Sequence, residues 1–312
     1  MLLPTILLPL LALCLPAQVK IQKDHDKISI EIDGKPFSDL YLSGEGVRKA
    51  FLHPLRSASG KIVTRSYPMA QVAGETNDHP HHTGLWFNHG DVNGIDFWGS
   101  SPKGRNDKGA TIVTKNVSKA VGGKTGVIVA DFEWQEKSGN VVLKEARTMM
   151  FSGGKDTRTI DFDIKLTAVQ TAKFGDTKEG SFALRLNDTI KEQKGTGKMV
   201  NAEGAAGEKA VWGKPSPWVD YSGTLDGEQL GIAILDHPTN PGHPTHWHSR
   251  SYGLFAANIF GLRDFYNDKS KDGSRTLQAG ESMRFRYRVI VHTGDAASAG
   301  IAGEFKKYAA MK

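Results

Sequence analysis

Eight of the eleven histidines in this 312-residue chain fall in two short segments, residues 78–98 and residues 236–250. Imidazole titrates near neutral pH, donates and accepts hydrogen bonds and binds transition metals. The first segment interleaves its four histidines with three aspartates, two asparagines and two tryptophans. This mixture is too polar for a core, so it indicates a polar pocket with aromatic walls.

The first segment supplies most of the candidate catalytic residues. In an extended backbone His79 and His81 point to one side and His82 to the other. The tryptophans either stack on a sugar ring or pack in the core, and the histidines either act chemically or bond to backbone carbonyls. We predict acid–base roles in this segment for His79, His81, His82 and His89. We predict substrate binding by Trp86, Asp91, Asn93 and Trp98.

The second segment is a loop that three prolines stiffen. His246 and His248 share a face if the backbone is extended, and with His79 and His81 they would supply nitrogen ligands for Zn, Cu, Fe or Ni. The spacing matches no established metal motif, so we expect no cofactor and keep this transition-metal site as the alternative. The substrate-binding residues predicted in and after this segment are His237, Trp247, His248, Arg250 and Asn258.

Three further charged residues are candidates. Glu179 and Arg185 share a face of the strand expected at residues 181–186. Glu179 is the best carboxylate for proton transfer, because it lies at the end of a rigid element, although a solvated loop glutamate has the same sequence signature. Arg65 and Arg185 are predicted to bind substrate, and Arg65 is equally consistent with a surface charge.

Strands must position these residues, because helical periodicity is almost absent. Residues 158–166 alternate strictly between polar and apolar side chains, and Asp33-Gly34 separates two such runs as a hairpin turn does. Only residues 297–311 have helical spacing, which predicts a C-terminal helix on a sheet edge. The pattern predicts an all-β fold, a large antiparallel sandwich of two sheets, as a single domain over residues 18–312.

The beginning of the chain predicts export. Residues 1–17 are apolar and uncharged, too short to span a bilayer comfortably, and typical of a signal peptide. The only cysteine, Cys14, lies in this segment, so the mature chain would have neither disulfides nor a thiolate site. We expect a periplasmic or secreted bacterial protein that is not inserted in a membrane. The net charge of +6 is spread along the chain, which argues against a nucleic-acid partner.

The run from Asp78 to Trp98 resembles the hallmark of a bacterial family labelled PmoA-type or "methane oxygenase" proteins. Residues 64–69, 176–185 and 252–261 are similar to the same family, so the resemblance extends from about residue 40 to about residue 305. It implies a large β-sandwich similar to galactose mutarotases. Relatives often occur beside sugar-processing proteins, which favours carbohydrate chemistry.

These observations predict an exported protein that carries out acid–base chemistry on a sugar or glycoside, as a lyase, epimerase or hydrolase would. The alternatives are a sugar-binding protein without catalysis and a metal-dependent oxygenase, as the family label suggests. The expected partner is a small molecule or an oligosaccharide. The geometry follows from packing: His79 or His81 should lie within about 10 Å of His246 or His248, with Glu179 or Arg185 in the same pocket.

Overall fold

The computed structural model describes residues 18–100 and 109–312. Across these ranges the strands form two eight-stranded antiparallel sheets and one two-stranded sheet. The predicted signal peptide, residues 1–17, lies outside the described residues and stays a prediction. No helix in the described ranges is long and apolar enough to cross a membrane.

The first sheet carries most of the histidine-rich chain. Its strands, in spatial order, are β1 (Val19–Lys23), β2 (Lys27–Ile32), β3 (Lys35–Tyr41), β4 (Phe51–His53), β5 (Leu85–His89), β11 (Gly180–Arg185), β16 (Leu254–Asn258) and β15 (His246–Trp247).

The second sheet is built mainly from long hairpins. Its strands, in spatial order, are β12 (Lys198–Asn201), β13 (Trp218–Leu225), β14 (Glu228–Asp236), β18 (Ser282–Thr293), β9 (Thr157–Ala168), β8 (Val141–Gly153), β7 (Gly126–Gln135) and β6 (Thr111–Val121). The small sheet pairs β10 (Ala172–Phe174) with β17 (Arg275–Leu277). The helices are α1 (Glu208–Val211), α2 (Leu262–Phe265), α3 (Ile301–Ala309) and a 3₁₀ turn at Asp188–Ile190.

Local sequence explains several of these elements. Strand β9 buries every second residue, as its alternation predicts. Strands β2 and β3 join through Asp33 and Gly34, both with positive φ (54° and 71°), the conformation that a two-residue hairpin turn of this kind requires.

The two large sheets face each other across the main core. Phe87 of the first sheet contacts Trp134 of the second with ring centroids 6.0 Å apart, and Phe182 stacks on Tyr287 at 4.4 Å. Apolar side chains from both inner faces form one continuous cluster. The predicted all-β sandwich of two antiparallel sheets is therefore confirmed.

The C-terminal helix α3 exists but does not lie on a sheet edge. Ile301 and Tyr308 pack with Trp218, Leu235 and Ile290 on the outer face of strands β13, β14 and β18. Those strands carry apolar residues on both faces, so the outer face needs a cover. The sequence-based placement of the helix is corrected accordingly.

Candidate functional site

The candidate site lies on the outer face of the first sheet, not between the sheets. Because side chains alternate along a strand, Phe87 and Phe182 point into the core while Trp86 and Ala183 point away from it. Ala183 and Ala256 are small, so space remains above strands β11 and β16 for larger rings. Trp86 belongs to a second apolar cluster that is separate from the core.

Four rings stack in a column above these alanines, which we call the ring column. Tyr252 stacks on His79 with centroids 5.3 Å apart and planes 5° apart. His79 stacks on His82 at 4.8 Å, and His82 stacks on Trp86 at 5.3 Å. The column joins the two histidine-rich parts of the chain, since Tyr252 follows the second segment.

A buried charge network supports the column. Arg65 and Arg185 have fully buried side chains and both donate to Oδ1 of Asp78, at 2.5 and 2.8 Å. The other carboxylate oxygen of Asp78 lies 3.2 Å from Nδ1 of His79. Burial tends to raise the pKa of Asp78, but the His79 contact and the two guanidinium charges outweigh it and hold that pKa well below its usual value. The network therefore holds Asp78 and His79, at the start of the first histidine segment, in place.

His82 is neutral in this environment. Burial, followed by the nearby His81 and Arg185, holds the pKa of His82 well below its usual value. A guanidinium can only donate, so Nδ1 of His82 accepts from Arg185 at 3.2 Å and the ring proton is on Nε2.

A cavity of about 400 Å³, which we call the site cavity, opens beside the ring column. Its volume is typical of small-molecule sites. It is lined by His79, His81, His82, Asp96, Trp98, Gly99, Lys178, Glu179, His248, Arg250 and Tyr252. Both histidine-rich segments and the predicted carboxylate Glu179 thus meet in one place, although His246 and Arg185 do not line it.

His248 presents a neutral imidazole to the site cavity. Its Nδ1 lies 2.8 Å from the carbonyl oxygen of Lys178, so Nδ1 must donate and Nε2 keeps its lone pair. Burial lowers the pKa of His248 to about 3. His248 is therefore neutral, and its Nε2 can accept a hydrogen bond.

Glu179 lies just before strand β11, as the sequence predicts. Its side chain is 38% exposed and its carboxylate lies 3.2 Å from Nζ of Lys178. Arg250 is held by Glu208 at 2.9 Å and lies 5.8 Å from the centroid of the Tyr252 ring. The site cavity therefore combines carboxylates, cations, neutral imidazoles and aromatic rings.

Other candidates support the site without lining it. Trp86 ends the ring column and donates from Nε1 to Asn88, while Arg65 and Arg185 are buried behind the column. Asn258 is committed to the backbone, because its amide donates to Thr177 and accepts from Phe260.

Five predicted residues lie elsewhere, so their placement in one pocket is corrected. His89 faces inward and its Nε2 donates to the Gly175 carbonyl, and Trp247 is fully buried in the main core. Asp91 and Asn93 line a different cavity of about 390 Å³. His237 donates to the carbonyl of Met311, beside helix α3.

The four-histidine metal site is not formed. His246 stacks on Phe265 at 5.7 Å and bonds to the Tyr266 hydroxyl at 3.1 Å, away from the site cavity. Among residues 18–100 and 109–312, no group of three or more His, Cys, Asp or Glu side chains is arranged to hold a metal ion.

Sequence reasoning missed several residues of the site. Asp78 and Asp96 lie in the first histidine segment. So many polar residues surround them there that the sequence does not indicate which residue each aspartate contacts. Lys178 and Lys49, the second of which adjoins the site, have no sequence signal.

A family model matches residues 27–306, and the chain therefore belongs to the family of unknown function DUF6807. The assignment to the PmoA-type family is wrong, because the matching model is a different one. The family label no longer supports an oxygenase. A search of curated proteins finds no match.

Solved structures with related architecture include two glycoside hydrolases and one smaller protein. The GH36 α-galactosidase AgaA from Geobacillus stearothermophilus, solved in complex with raffinose, is 10% identical with a TM-score of 0.42. The comparison covers 90% of this chain, which spans 41% of the α-galactosidase chain. The related AgaB gives 9% identity, a TM-score of 0.42 and coverages of 90% and 42%. A galactose mutarotase-like protein from Lactobacillus casei is 8% identical, with a TM-score of 0.40 over 88% of this chain and 100% of that chain.

Proposed function

We propose that this protein binds a sugar or glycoside in the site cavity and performs acid–base chemistry on it, with Glu179 and His81 as the proton-transferring pair. One observation carries the proposal: a carboxylate and an imidazole from separate segments line one cavity of about 400 Å³ beside aromatic rings. General acid–base catalysis needs two such groups within reach of one bound ligand.

The rest of the lining suits a hydroxylated ring. His248 can accept a hydrogen bond through Nε2, and Lys178 and Arg250 can donate hydrogen bonds to ligand oxygens. Trp98 and Tyr252 add aromatic surface to the lining, which the apolar side of a sugar can contact at the ring edges. A sugar needs this combination of hydrogen-bonding groups and flat apolar surface.

The direction of proton transfer follows from the types of group. The side chain of Glu179 is 38% exposed, so its carboxylate can reach a bound ligand and accept a proton from a sugar carbon, a hydroxyl or a water molecule. His81 would donate or accept the second proton. Its partner would be the ligand oxygen that is protonated in the reaction, such as that of a leaving group. Lyase, epimerase and hydrolase reactions all use such a pair, and the products distinguish them.

The test compares turnover and binding. The full chain is incubated with a panel of glycosides and free sugars, products are followed by mass spectrometry, and binding is followed by calorimetry. We expect Glu179→Gln and His81→Ala each to lower turnover by roughly 10²–10⁴-fold. Glu203→Gln, at an exposed turn, is the matched control and should keep full activity. Binding without turnover in the unmodified protein would show a sugar-binding protein instead, and the absence of binding would refute the proposal.

We also propose that residues 1–17 direct export to the periplasm or the medium. The support is their apolar, uncharged composition. Expression in a Gram-negative host followed by cell fractionation and N-terminal sequencing is the test. We expect an exported chain that begins at Gln18, and a cytoplasmic chain that keeps Met1 would refute export.

A further inference from the structure

A second cavity of about 440 Å³ adjoins the site cavity, and His81 lines both. We call His81 the shared wall. A run of consecutive residues also passes from one cavity to the other, since Trp98 and Gly99 line the site cavity and Ser100 lines the second one. The two cavities therefore lie on either side of His81.

One side of the second cavity is apolar and aromatic. Tyr41 and Phe51, from neighbouring strands, stack with centroids 4.9 Å apart and planes 14° apart. Val47 and Met69 pack against the same apolar cluster and line the same cavity. This surface suits a flat apolar ring better than a second hydroxyl-rich sugar.

Lys49 supplies the polar group nearest the shared wall. Its side chain is buried, with the residue 3% exposed, and Nζ donates to the backbone carbonyl of His81 at 2.8 Å. Nζ also lies 5.5 Å from the centroid of the Trp86 ring, within reach of a cation–π interaction. Within the described residues that carbonyl is the only hydrogen-bond acceptor of Nζ. A lysine amine has two N–H donors when neutral and three when protonated, so at least one N–H has no acceptor among the described residues.

The charge around Lys49 is consistent with this role. Burial lowers the pKa of Lys49 to about 7, against the opposing effect of Asp96. The other charged residues lining the second cavity are Glu45 and Arg48. An amine that is costly to keep charged in a buried position gains from a polar ligand atom placed beside it.

We propose that the second cavity binds the aromatic aglycone of a glycoside whose sugar occupies the site cavity, with Lys49 donating a hydrogen bond at the junction. This inference rests on the proposed function and narrows it to aryl glycosides. His81, the shared wall, then lies beside the bond that joins the two halves of the ligand.

The test uses the full chain and two probes that share one sugar, a methyl glycoside and the corresponding 4-nitrophenyl glycoside. By calorimetry we expect the aryl glycoside to bind at least tenfold more tightly. Met69→Trp fills the second cavity and should abolish that ratio while leaving the Kd of the methyl glycoside unchanged. Val72→Trp, at a 53% exposed position nearby in sequence, is the matched control and should preserve the ratio. Lys49→Met should lower the aryl affinity by about tenfold and the methyl affinity less.

The outcomes separate the two proposals. If the methyl glycoside binds but the aryl glycoside binds no tighter, or Met69→Trp leaves the ratio unchanged, the aglycone site is refuted while the sugar site stands. If no glycoside of either kind binds, the proposed function fails and the aglycone site with it. Thermal melting confirms that each variant folds, and Val47→Phe narrows the same cavity if Met69→Trp does not fold.

Discussion

Replacing Asp78 by asparagine tests the charge network beneath the ring column. The substitution keeps the shape of the side chain and removes its negative charge. Arg65 and Arg185 are both fully buried, and each donates to the same oxygen of Asp78. Without that charge, two like charges remain close together and buried, and we expect Asp78→Asn to destabilise the fold and loosen His79.

The expected magnitude follows from burial. Removing one partner of a fully buried ion pair costs about 3–5 kcal/mol, whereas exposed pairs contribute about 0–1 kcal/mol. The Asp78 side chain is 44% exposed while its partners are fully buried, so water reaches only one side of the network. We therefore expect a loss of about 2–4 kcal/mol in the free energy of unfolding.

Urea denaturation at pH 7 measures this loss. Asp163→Asn is the matched control, because Asp163 pairs with Arg284, whose side chain is 61% exposed. The control should cost about 1 kcal/mol or less. If Asp78→Asn costs no more than Asp163→Asn, the two arginines are adequately solvated without the carboxylate, and the argument that the network supports the site fails.

The same variant has a characteristic dependence on pH. The folded state holds the pKa of Asp78 below its unfolded value of about 4, so the carboxylate adds stability above that value and loses it as pH falls through the folded pKa. The difference in unfolding free energy between the unmodified protein and Asp78→Asn should therefore be constant from pH 7 to about pH 5 and shrink below about pH 4. A difference that grows in acid would contradict the assignment.

Two further predictions concern the ring column and the turn beneath it. Tyr252→Leu should weaken glycoside binding about tenfold in calorimetry, because it removes the ring stacked on His79, while Tyr252→Phe should bind nearly normally; equal loss in both would mean that the hydroxyl matters instead. Gly84→Ala should cost at least about 2 kcal/mol in urea denaturation, because φ is +63° and a Cβ would lie 2.2 Å from the Leu52 carbonyl oxygen. Gly34→Ala, at φ +71° in open space, should cost only about 1 kcal/mol, and an equal cost would refute the clash.

Local patterns predicted the sandwich because they depend only on neighbouring residues. The alternation of residues 158–166 shows that one face of β9 is buried, and the Asp33-Gly34 turn pairs Ile32 with Lys35 before an irregularity at Ile30/Glu31 shifts the register between β2 and β3. Neither pattern says which of two apolar faces meets the other sheet. That ambiguity misplaced helix α3, which covers an outer face whose apolar residues resemble core residues.

The meeting of the two histidine segments was predictable from composition, but its details were not. Strand β11 pairs with β5 on one side and β16 on the other, so it brings residues 85–89 and 254–258 together. Because side chains alternate along β5, Trp86 and His89 lie on opposite faces of the sheet. The sequence does not reveal which of the two faces the core. The Asp78–Arg185 pair joins positions 107 residues apart and has no local signature.

The protonation of the imidazoles links the architecture to the kind of ligand. On the outer face of the second sheet, His292 lies 2.6 Å from the Asp220 carboxylate, so a carboxylate is its near neighbour. Among residues 18–100 and 109–312, no carboxylate is hydrogen-bonded to His82 or His248. His82 bonds to Arg185 and His248 to a backbone carbonyl, and burial lowers the pKa of both. Neutral imidazoles can recognise hydroxyl groups, which agrees with the proposed sugar ligand and with the proposal that Glu179 and His81 transfer the protons.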